Sequence, residues 1–311
     1  MRILITGALG HIGSSFIHNL RPGDYDEVVL MDNMATQRYC SLFNLPEGVP
    51  FRFLETDIFD ADLDKTLAGM DAVIHLAAIT DAANSFDIQD RVERVNFEGT
   101  KRVAEACMRF ECKLIFLSTT SVYGVQREVV DETCSIDDLK PQSPYADSKL
   151  KTEELLKSMG ETGGLRFVTL RFGTIFGVSI GMRFHTAINK FCWQACLGRP
   201  LTVWRTALNQ KRPYLELGDA IRALNFILRT DRFDGEIYNV LSENASVGEV
   251  VDIIRGVVPD VQVELVDSRI MNQLSYTVSC DKFRSLGFSF EGSLAQGICD
   301  TVRMIGRVRH S

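Results

Sequence analysis

Ile3-Leu4-Ile5-Thr6-Gly7-Ala8-Leu9-Gly10-His11-Ile12-Gly13 is the stretch on which the fold turns. A short apolar run leads into three glycines spaced three apart, and a helical pattern follows. Glycine permits the tight turn and lets the backbone approach a pyrophosphate, which then rests on the N-terminus of the following helix. Asp32 closes the next apolar run about 20 residues further on, where a carboxylate can take a ribose diol. The same carboxylate repels a 2′-phosphate. Together with Asn33 it outweighs Arg38, so the predicted cofactor is NAD.

Outward from this loop, short apolar or β-branched runs alternate with helical patterns. The predicted strands are Ile3–Thr6, Val28–Asp32, Phe51–Asp57, Ala72–Leu76, Leu114–Ser118 and Phe167–Phe172. Several are almost continuously apolar, as strands covered on both faces must be. Helices are predicted over Ile12–Leu20, Leu63–Ala68, Val92–Phe110 and Tyr145–Met159. This alternation predicts an α/β fold, a doubly wound parallel sheet that binds ligands at the carboxyl ends of its strands.

Beyond residue 172 the rhythm changes. Gly177–Gly181 is turn-rich, and a helix over Thr186–Leu197 stops at Gly198-Arg199-Pro200. A helix over Leu217–Thr230, a strand at Ile237–Val240 and a helix over Val247–Val258 capped by Ser246 complete the pattern. No linker separates the halves, so a smaller mixed α/β C-terminal lobe should share a cleft with the sheet.

The composition is that of a globular protein with a sizeable core: 311 residues, 45% hydrophobic and 24% charged. A net charge of -7 argues against a protein built to coat nucleic acid. No apolar run approaches the roughly 18–20 residues of a membrane span. Met1–Ile5 enters the glycine turn without a signal-peptide pattern. The eight cysteines contain no CxxC pair, and Cys192 and Cys196 suit buried apolar positions on a helix. The five histidines fit no metal-binding frame, so no metal is expected. A reducing, cytoplasmic compartment follows from the cysteine usage.

Further signals accumulate in order: Asp57-Ile58, His75-Leu76-Ala77-Ala78, Asn96-x-x-Gly99-Thr100, Ser118-Thr119-Thr120-Ser121-Val122-Tyr123-Gly124, Tyr145-x-x-x-Lys149 and Leu170-Arg171-Phe172. With the glycine loop, this set resembles the extended short-chain dehydrogenase/reductases acting on nucleotide sugars, over nearly the whole chain. The resemblance implies a Rossmann domain over residues 1–172, with 217–240 returning to it. Residues 173–216 and 241–311 would form the nucleotide-sugar lobe. It implies that Gly7, Gly10, His11, Ile12, Gly13, Asp32 and Asn33 hold NAD. Asp57 and Ile58 would flank the adenine; Leu76, Ala77, Ala78 and Phe172 would line the groove, and Asn96 would anchor the cofactor region.

The chemistry of the catalytic set is readable from the residues. Tyr145 and Lys149 are four apart and share one helix face. A phenol near pKa 10 is a poor base at neutral pH, but a nearby ammonium and the nicotinamide charge favour its phenolate. Tyr145 would take the sugar hydroxyl proton as hydride leaves for the nicotinamide. Lys149 would hold the nicotinamide ribose and depress the Tyr145 pKa, and Thr119, placed by counting back from Val122-Tyr123-Gly124, would hydrogen-bond the reacting oxygen, with Ser118 or Thr120 as the alternative.

Sugar dehydratases resemble Thr-Asp-Glu at this point, and glucuronate decarboxylases carry a glutamate at the position of Ser121. Thr120 and Ser121 serve neither chemistry. A hydroxyl-rich stretch before Val-Tyr-Gly resembles the 4-epimerases, which oxidise C4, let the 4-keto sugar turn over and return hydride to its opposite face. Thr80, Thr120, Thr174, Asn189, Trp204 and Arg212 are the implied substrate residues, with Arg212 on the diphosphate and Trp204 either stacked on the base or in the core. A second diphosphate residue falls at Arg269 or Gln273. Arg183-Phe184-His185 resembles a branch that includes sugar 4-dehydrogenases, so a 4-dehydrogenase or 4-keto-sugar reductase is the alternative, and a non-catalytic NAD-binding scaffold the third reading. The resemblance also implies a homodimer through the helices at Val92–Phe110 and Tyr145–Met159, on an apolar stripe of Val92, Val95, Val103 and Ala106 that would equally suit core packing. Its usual setting is the supply of polysaccharide or glycoconjugate precursors.

Overall fold

The computed structural model describes residues 1–124, 128–267 and 275–306. The chain begins with β1 (Arg2–Thr6), α1 (His11–His18), β2 (Glu27–Asp32), β3 (Phe51–Glu55), α2 (Leu63–Leu67) and β4 (Ala72–His75). A short α3 (Gln89–Val92), a π-helical turn (Glu93–Glu98) and α4 (Gly99–Arg109) lead to β5 (Lys113–Thr119). After β6 (Val129–Val130) come α5 (Pro144–Gly163), β7 (Phe167–Phe172), β8 (Thr174–Phe176), α6 (Ala187–Cys196), β9 (Leu201–Trp204) and β10 (Lys211–Glu216). The remainder is α7 (Leu217–Thr230), β11 (Ile237–Val240), β12 (Glu243–Ser246), α8 (Val247–Val257), β13 (Val263–Val266), β14 (Thr277–Val278), α9 (Asp281–Arg284) and α10 (Leu294–Ile305).

Seven strands form one parallel sheet in the order β11-β7-β5-β4-β1-β2-β3. The near-continuous apolar runs are explained by the period of two in a strand. Ile3 and Ile5 of β1 pack into one layer with Phe16 and Ile17 of α1 and Leu224 and Ile227 of α7. Leu4, between them, packs into the other with Leu67 of α2, Val103 of α4 and Leu156 of α5. Burying each such aliphatic side chain stabilises the fold by about 1.5–3 kcal/mol. This is the doubly wound Rossmann-like fold expected from the sequence.

A second core gathers Phe176, Ile188, Cys192, Val250 and Ile298. It joins α6, α8 and α10 to a three-stranded sheet ordered β12-β10-β8 and to the β13-β9 pair. β11 pairs with β7, so the chain returns to the main sheet between two visits to this lobe. Ser246 caps α8 in a full capping box with Glu249, as the Ser246 reading anticipated.

Two expectations need correction, and one open reading is decided. The helix read as Val92–Phe110 is interrupted by the π-helical turn, because Asn96 is drawn inward by hydrogen bonds across the fold. The strand read to Asp57 stops at Glu55, since the Asp57 carboxylate accepts the Phe59 amide and turns the chain. The apolar stripe, which suited a dimer face or the core, is mostly core: Val92, Val103 and Ala106 are buried within the protomer and Val95 is half-buried.

Candidate active site

The residues singled out from the sequence converge at the carboxyl edge of the sheet, where the strand order reverses between β1 and β4. Gly7 has φ +64°, and a Cβ there would stand 2.7 Å from the Ala77 amide nitrogen, so the loops after β1 and β4 touch only because Gly7 has no side chain. A Cβ on Gly13 would lie 2.4 Å from the Ala8 carbonyl oxygen, so the glycine also lets α1 start close against the loop. Ile12 packs on the core beneath.

Asp32 ends β2 and accepts hydrogen bonds from the Leu9 amide at 3.1 Å and the Met34 amide at 3.0 Å. Each oxygen keeps a lone pair for a ribose hydroxyl. Asn33 donates to Asp57 at 2.7 Å, and Ile58 beside it is buried. Thr6, the last residue of β1, meets His75 Nδ1 at 2.7 Å, and His75 Nε2 meets Thr100 Oγ1 at 3.0 Å. The Thr6 hydroxyl also accepts the Ala77 amide, and Thr100 donates to the Asn96 carbonyl. These bonds assign a neutral imidazole protonated on Nε2, and burial, with the Lys149 charge nearby, pushes the His75 pKa down to about 3. Asn96 is fully buried; it accepts the Ile79 amide at 2.8 Å and donates to the Ile79 carbonyl and to Ser148. It braces the loop that carries Leu76, Ala77 and Ala78, and its side chain does not reach into the groove.

Ser143 caps α5 by accepting the Ala146 amide, and Pro144 occupies the first helical turn. Tyr145 therefore stands where the helix dipole favours an anion. Its hydroxyl is hydrogen-bonded to Thr119, the last residue of β5. Burial raises the Tyr145 pKa, while the Thr119 bond and the Arg183 charge pull it down. Lys149, one turn on, is buried with its Nζ 4.7 Å from the centre of the Phe116 ring. Burial lowers its pKa to about 7, against the opposing pull of Glu153.

The substrate residues fare unequally. Thr80 accepts a hydrogen bond from Arg183 Nη1 at the mouth of the cleft. Thr174 opens β8 half-buried, at the boundary between the two layers. Arg212 lies over the Tyr276 ring at 5.6 Å, and Tyr276 donates to the Thr120 carbonyl, so this arginine is tied to the strand end that carries Thr119. Thr120 itself points inward and donates to the Phe172 carbonyl. Asn189 is fully buried, accepting the Gly177 amide and donating to the Arg183 carbonyl, so it shapes the 177–183 turn from behind. Trp204 packs against the second core. Arg269 and Gln273 lie outside the described residues. Phe172 is core, and the His11 Nδ1 accepts the Arg183 amide; burial, Arg183 and Arg38 push the His11 pKa down to about 3, so it is a neutral brace.

Sequence reasoning missed Arg183. It arrives from the far side of the cleft and sits among Tyr145, Asp32, Asp81 and Arg38. A Cβ on Gly10 would lie 3.9 Å from Arg183 Nη2, which places the guanidinium over the glycine loop. Arg38 Nη1 is buried without a hydrogen-bond partner. Two partly buried cations facing one another over a glycine loop need an anion, and a pyrophosphate fits. The residues present thus suit NAD. The only sequence signal was the Arg183-Phe184-His185 cluster itself, since the turn that brings it across the cleft is set by Asn189 and by the Gly181 amide donating to Ser14.

A model of the NAD dependent epimerase/dehydratase family matches residues 3–240. An uncharacterised UDP-glucose epimerase of Bacillus subtilis is 32% identical over 267 residues, 83% of this chain and 82% of its own length. A UDP-glucuronic acid 4-epimerase from Bacillus cereus, solved with UDP-glucuronic acid and NAD, superimposes with a TM-score of 0.89 at 28% identity over 99% of both chains. A dTDP-glucose 4,6-dehydratase from Streptomyces venezuelae, solved with NAD bound, does so with a TM-score of 0.86 at 26% identity, covering 97% of this chain and 96% of its own.

Proposed function

The chain belongs to the NAD-dependent epimerase/dehydratase family, and from that premise we propose that it is a nucleotide-sugar 4-epimerase. It is an enzyme, and its cofactor is NAD. The observation that carries the choice of reaction is the pairing of Tyr145 with Thr119 at a site where Thr120 and Ser121 supply no carboxylate. A fold shared with dehydratases does not choose between the two chemistries, so the reading rests on the site.

The Gly7–Gly13 loop, Asp32 and the Arg38–Arg183 pair would hold NAD, which would supply the hydride chemistry. Tyr145 takes the proton from the C4 hydroxyl and gives it back at the same atom. Thr119 fixes the oxygen between them, and the Lys149 ammonium and the start of α5 both favour the phenolate. Arg212 is the group proposed to hold the diphosphate while the keto sugar presents its other face.

Proton NMR in D2O, with purified protein, a panel of nucleotide hexoses and hexuronates and no added cofactor, tests this. A new anomeric signal without deuterium uptake, lost in Tyr145→Phe, is the expected result. A 4-keto product that accumulates in step with enzyme-bound NADH would instead select the 4-dehydrogenase reading. Nucleotide sugar is the proposed substrate class, in precursor supply for glycoconjugates. A cytoplasmic setting is proposed on the eight cysteines, all free thiols. A homodimer through α4 and α5 would use their outer faces, which carry Arg102, Glu105, Lys151 and Glu154 in place of the buried stripe.

A further inference from the structure

One buried charged cluster lies outside the roles given so far. Glu153 follows Lys149 by one turn and Tyr145 by two, so all three lie in one stripe of α5. Its carboxylate receives Arg171 Nε at 3.0 and 3.2 Å and Arg171 Nη2 at 2.6 Å, and Ser118 Oγ donates to it as well. Glu153 is 4% exposed and Arg171 3%. The other arm of Arg171 donates to the Tyr123 hydroxyl at 2.9 Å, and Tyr123 donates to Asn239 at 3.0 Å. Ser118 is the residue before Thr119. The cluster therefore fastens the end of β5, the catalytic face of α5 and β7 to one another at the floor of the site.

Among the described residues, the groups around the Lys149 ammonium are otherwise neutral or positive. The Phe116 ring lies on one side and the neutral His75 faces it from β4. Tyr145 precedes it on α5, and Arg183 reaches Tyr145 from across the cleft. Arg171 reaches from β7 to Glu153 on α5 and, with its other arm, to Tyr123, and Glu132 stands beyond Tyr123. Glu153 is the one anion among the charges that act on Lys149.

We propose that Glu153 is a positioning residue of the reaction, an anion held rigid by Arg171 and Ser118 that keeps Lys149 charged beneath Tyr145. The proposal rests on the reading of Tyr145 and Lys149 as the proton-transferring pair. Exchange of its carboxylate for an amide removes the anion that favours the charged form of Lys149 and leaves Arg171 as an uncompensated buried cation. The support for a charged Lys149 disappears while every group that touches the sugar remains.

The test measures the ionisation of Lys149 directly. Holoprotein is labelled with acetic anhydride across a pH series, and acylation of Lys149 is read by peptide mass spectrometry. In Glu153→Gln the midpoint is expected to fall by about one pH unit, a tenfold change in the protonated fraction. The alkaline limb of kcat should move down with it. Because Glu153→Gln can fail to fold, the double variant Glu153→Gln/Arg171→Met, which removes both buried charges, is measured alongside. It should fold and show the same downward shift, since the anion nearer Lys149 is still missing, while Glu153→Asp should keep the parent midpoint. A double variant with the parent's midpoint and alkaline limb would overturn the proposal and leave Glu153 as a fold partner of Arg171. Labelling needs no sugar, so a shifted midpoint in a protein that epimerises nothing would sink the epimerase reading and spare this one.

Discussion

Replacement of Asn96 by alanine removes three hydrogen bonds at a position with no access to water. The Ile79 amide loses its acceptor at 2.8 Å, the Ile79 carbonyl loses a donor at 3.0 Å, and Ser148 loses one at 3.1 Å. Ser148 keeps its own bond to the Tyr145 carbonyl, so the real damage is at Ile79. A buried backbone group left without a partner costs about 1–3 kcal/mol, against about 1 kcal/mol for an ordinary hydrogen bond. Two such groups, partly relieved if the half-buried loop opens to water, put the loss at about 2–4 kcal/mol. The cost lands on the Leu76–Thr80 segment, which carries Ala77 and Ala78, the residues proposed to line the cofactor groove. NAD affinity should therefore fall together with stability. The assay is urea unfolding of the apo protein by circular dichroism, with the slope of the transition compared between variants, followed by NAD titration. Asn96→Asp keeps an acceptor for the Ile79 amide but places a carboxylate against the Ile79 carbonyl, and should be at least as damaging. A loss below about 1 kcal/mol with unchanged NAD affinity would refute the assignment of Asn96 as the brace of this loop, since hydrogen bonds of this kind cannot vanish so cheaply.

Acid should unfold the protein early. His75 and His11 have folded pKa values pushed down to about 3, below an ordinary 6.5, so the unfolded chain binds protons that the native state refuses. Their contribution is present above pH 6.5 and drains away as pH falls towards 3, at about 1.4 kcal/mol per pH unit for each histidine. Urea midpoints at pH 7, 6 and 5 should show this slope, and His75→Gln should lessen it by one histidine's share; an unchanged slope would count against the buried neutral imidazole. Gly7→Ala forces a side chain into a left-handed turn and against the Ala77 backbone, so it should cost about 1–3 kcal/mol and weaken NAD binding at least tenfold, read by the same unfolding and titration. Asp32→Ala removes the anion that repels a 2′-phosphate while Arg38 stays, so the ratio of NAD to NADP affinity should drop by tenfold or more; a constant ratio would place the selection elsewhere.

Most of the scaffold was legible because its signals are local. The Gly7–Gly13 turn, the doubly apolar strands and the (i, i+4) pair on α5 depend on residues near one another in the chain, and each element formed where its pattern lay. The early stop of β3 at Glu55 came from a local turn at Asp57, whereas two other features were decided by tertiary contacts. Asn96 sits in a segment of helical pattern, but hydrogen bonds to Ile79 and to Ser148, far along the chain, pull it into a π-helical turn. Val92, Val103 and Ala106 form an apolar stripe whether it faces a second protomer or the sheet, since periodicity records an apolar side and not what covers it.

The division between sequence and tertiary structure runs through the site itself. Sequence alone determined the fold class and the NAD cofactor, and it singled out Thr119, Tyr145 and Lys149 as the proposed catalytic set, because each rests on residue types at short spacings. Only the folded chain decided what stands opposite them. Arg183 reaches the glycine loop through a turn pinned by Asn189 and Ser14, and Arg171 meets Glu153 because β7 lies beside β5 under α5. Charges that meet across such distances owe their energies to the separation and burial of their side chains. Those quantities exist only once the strands have taken their order.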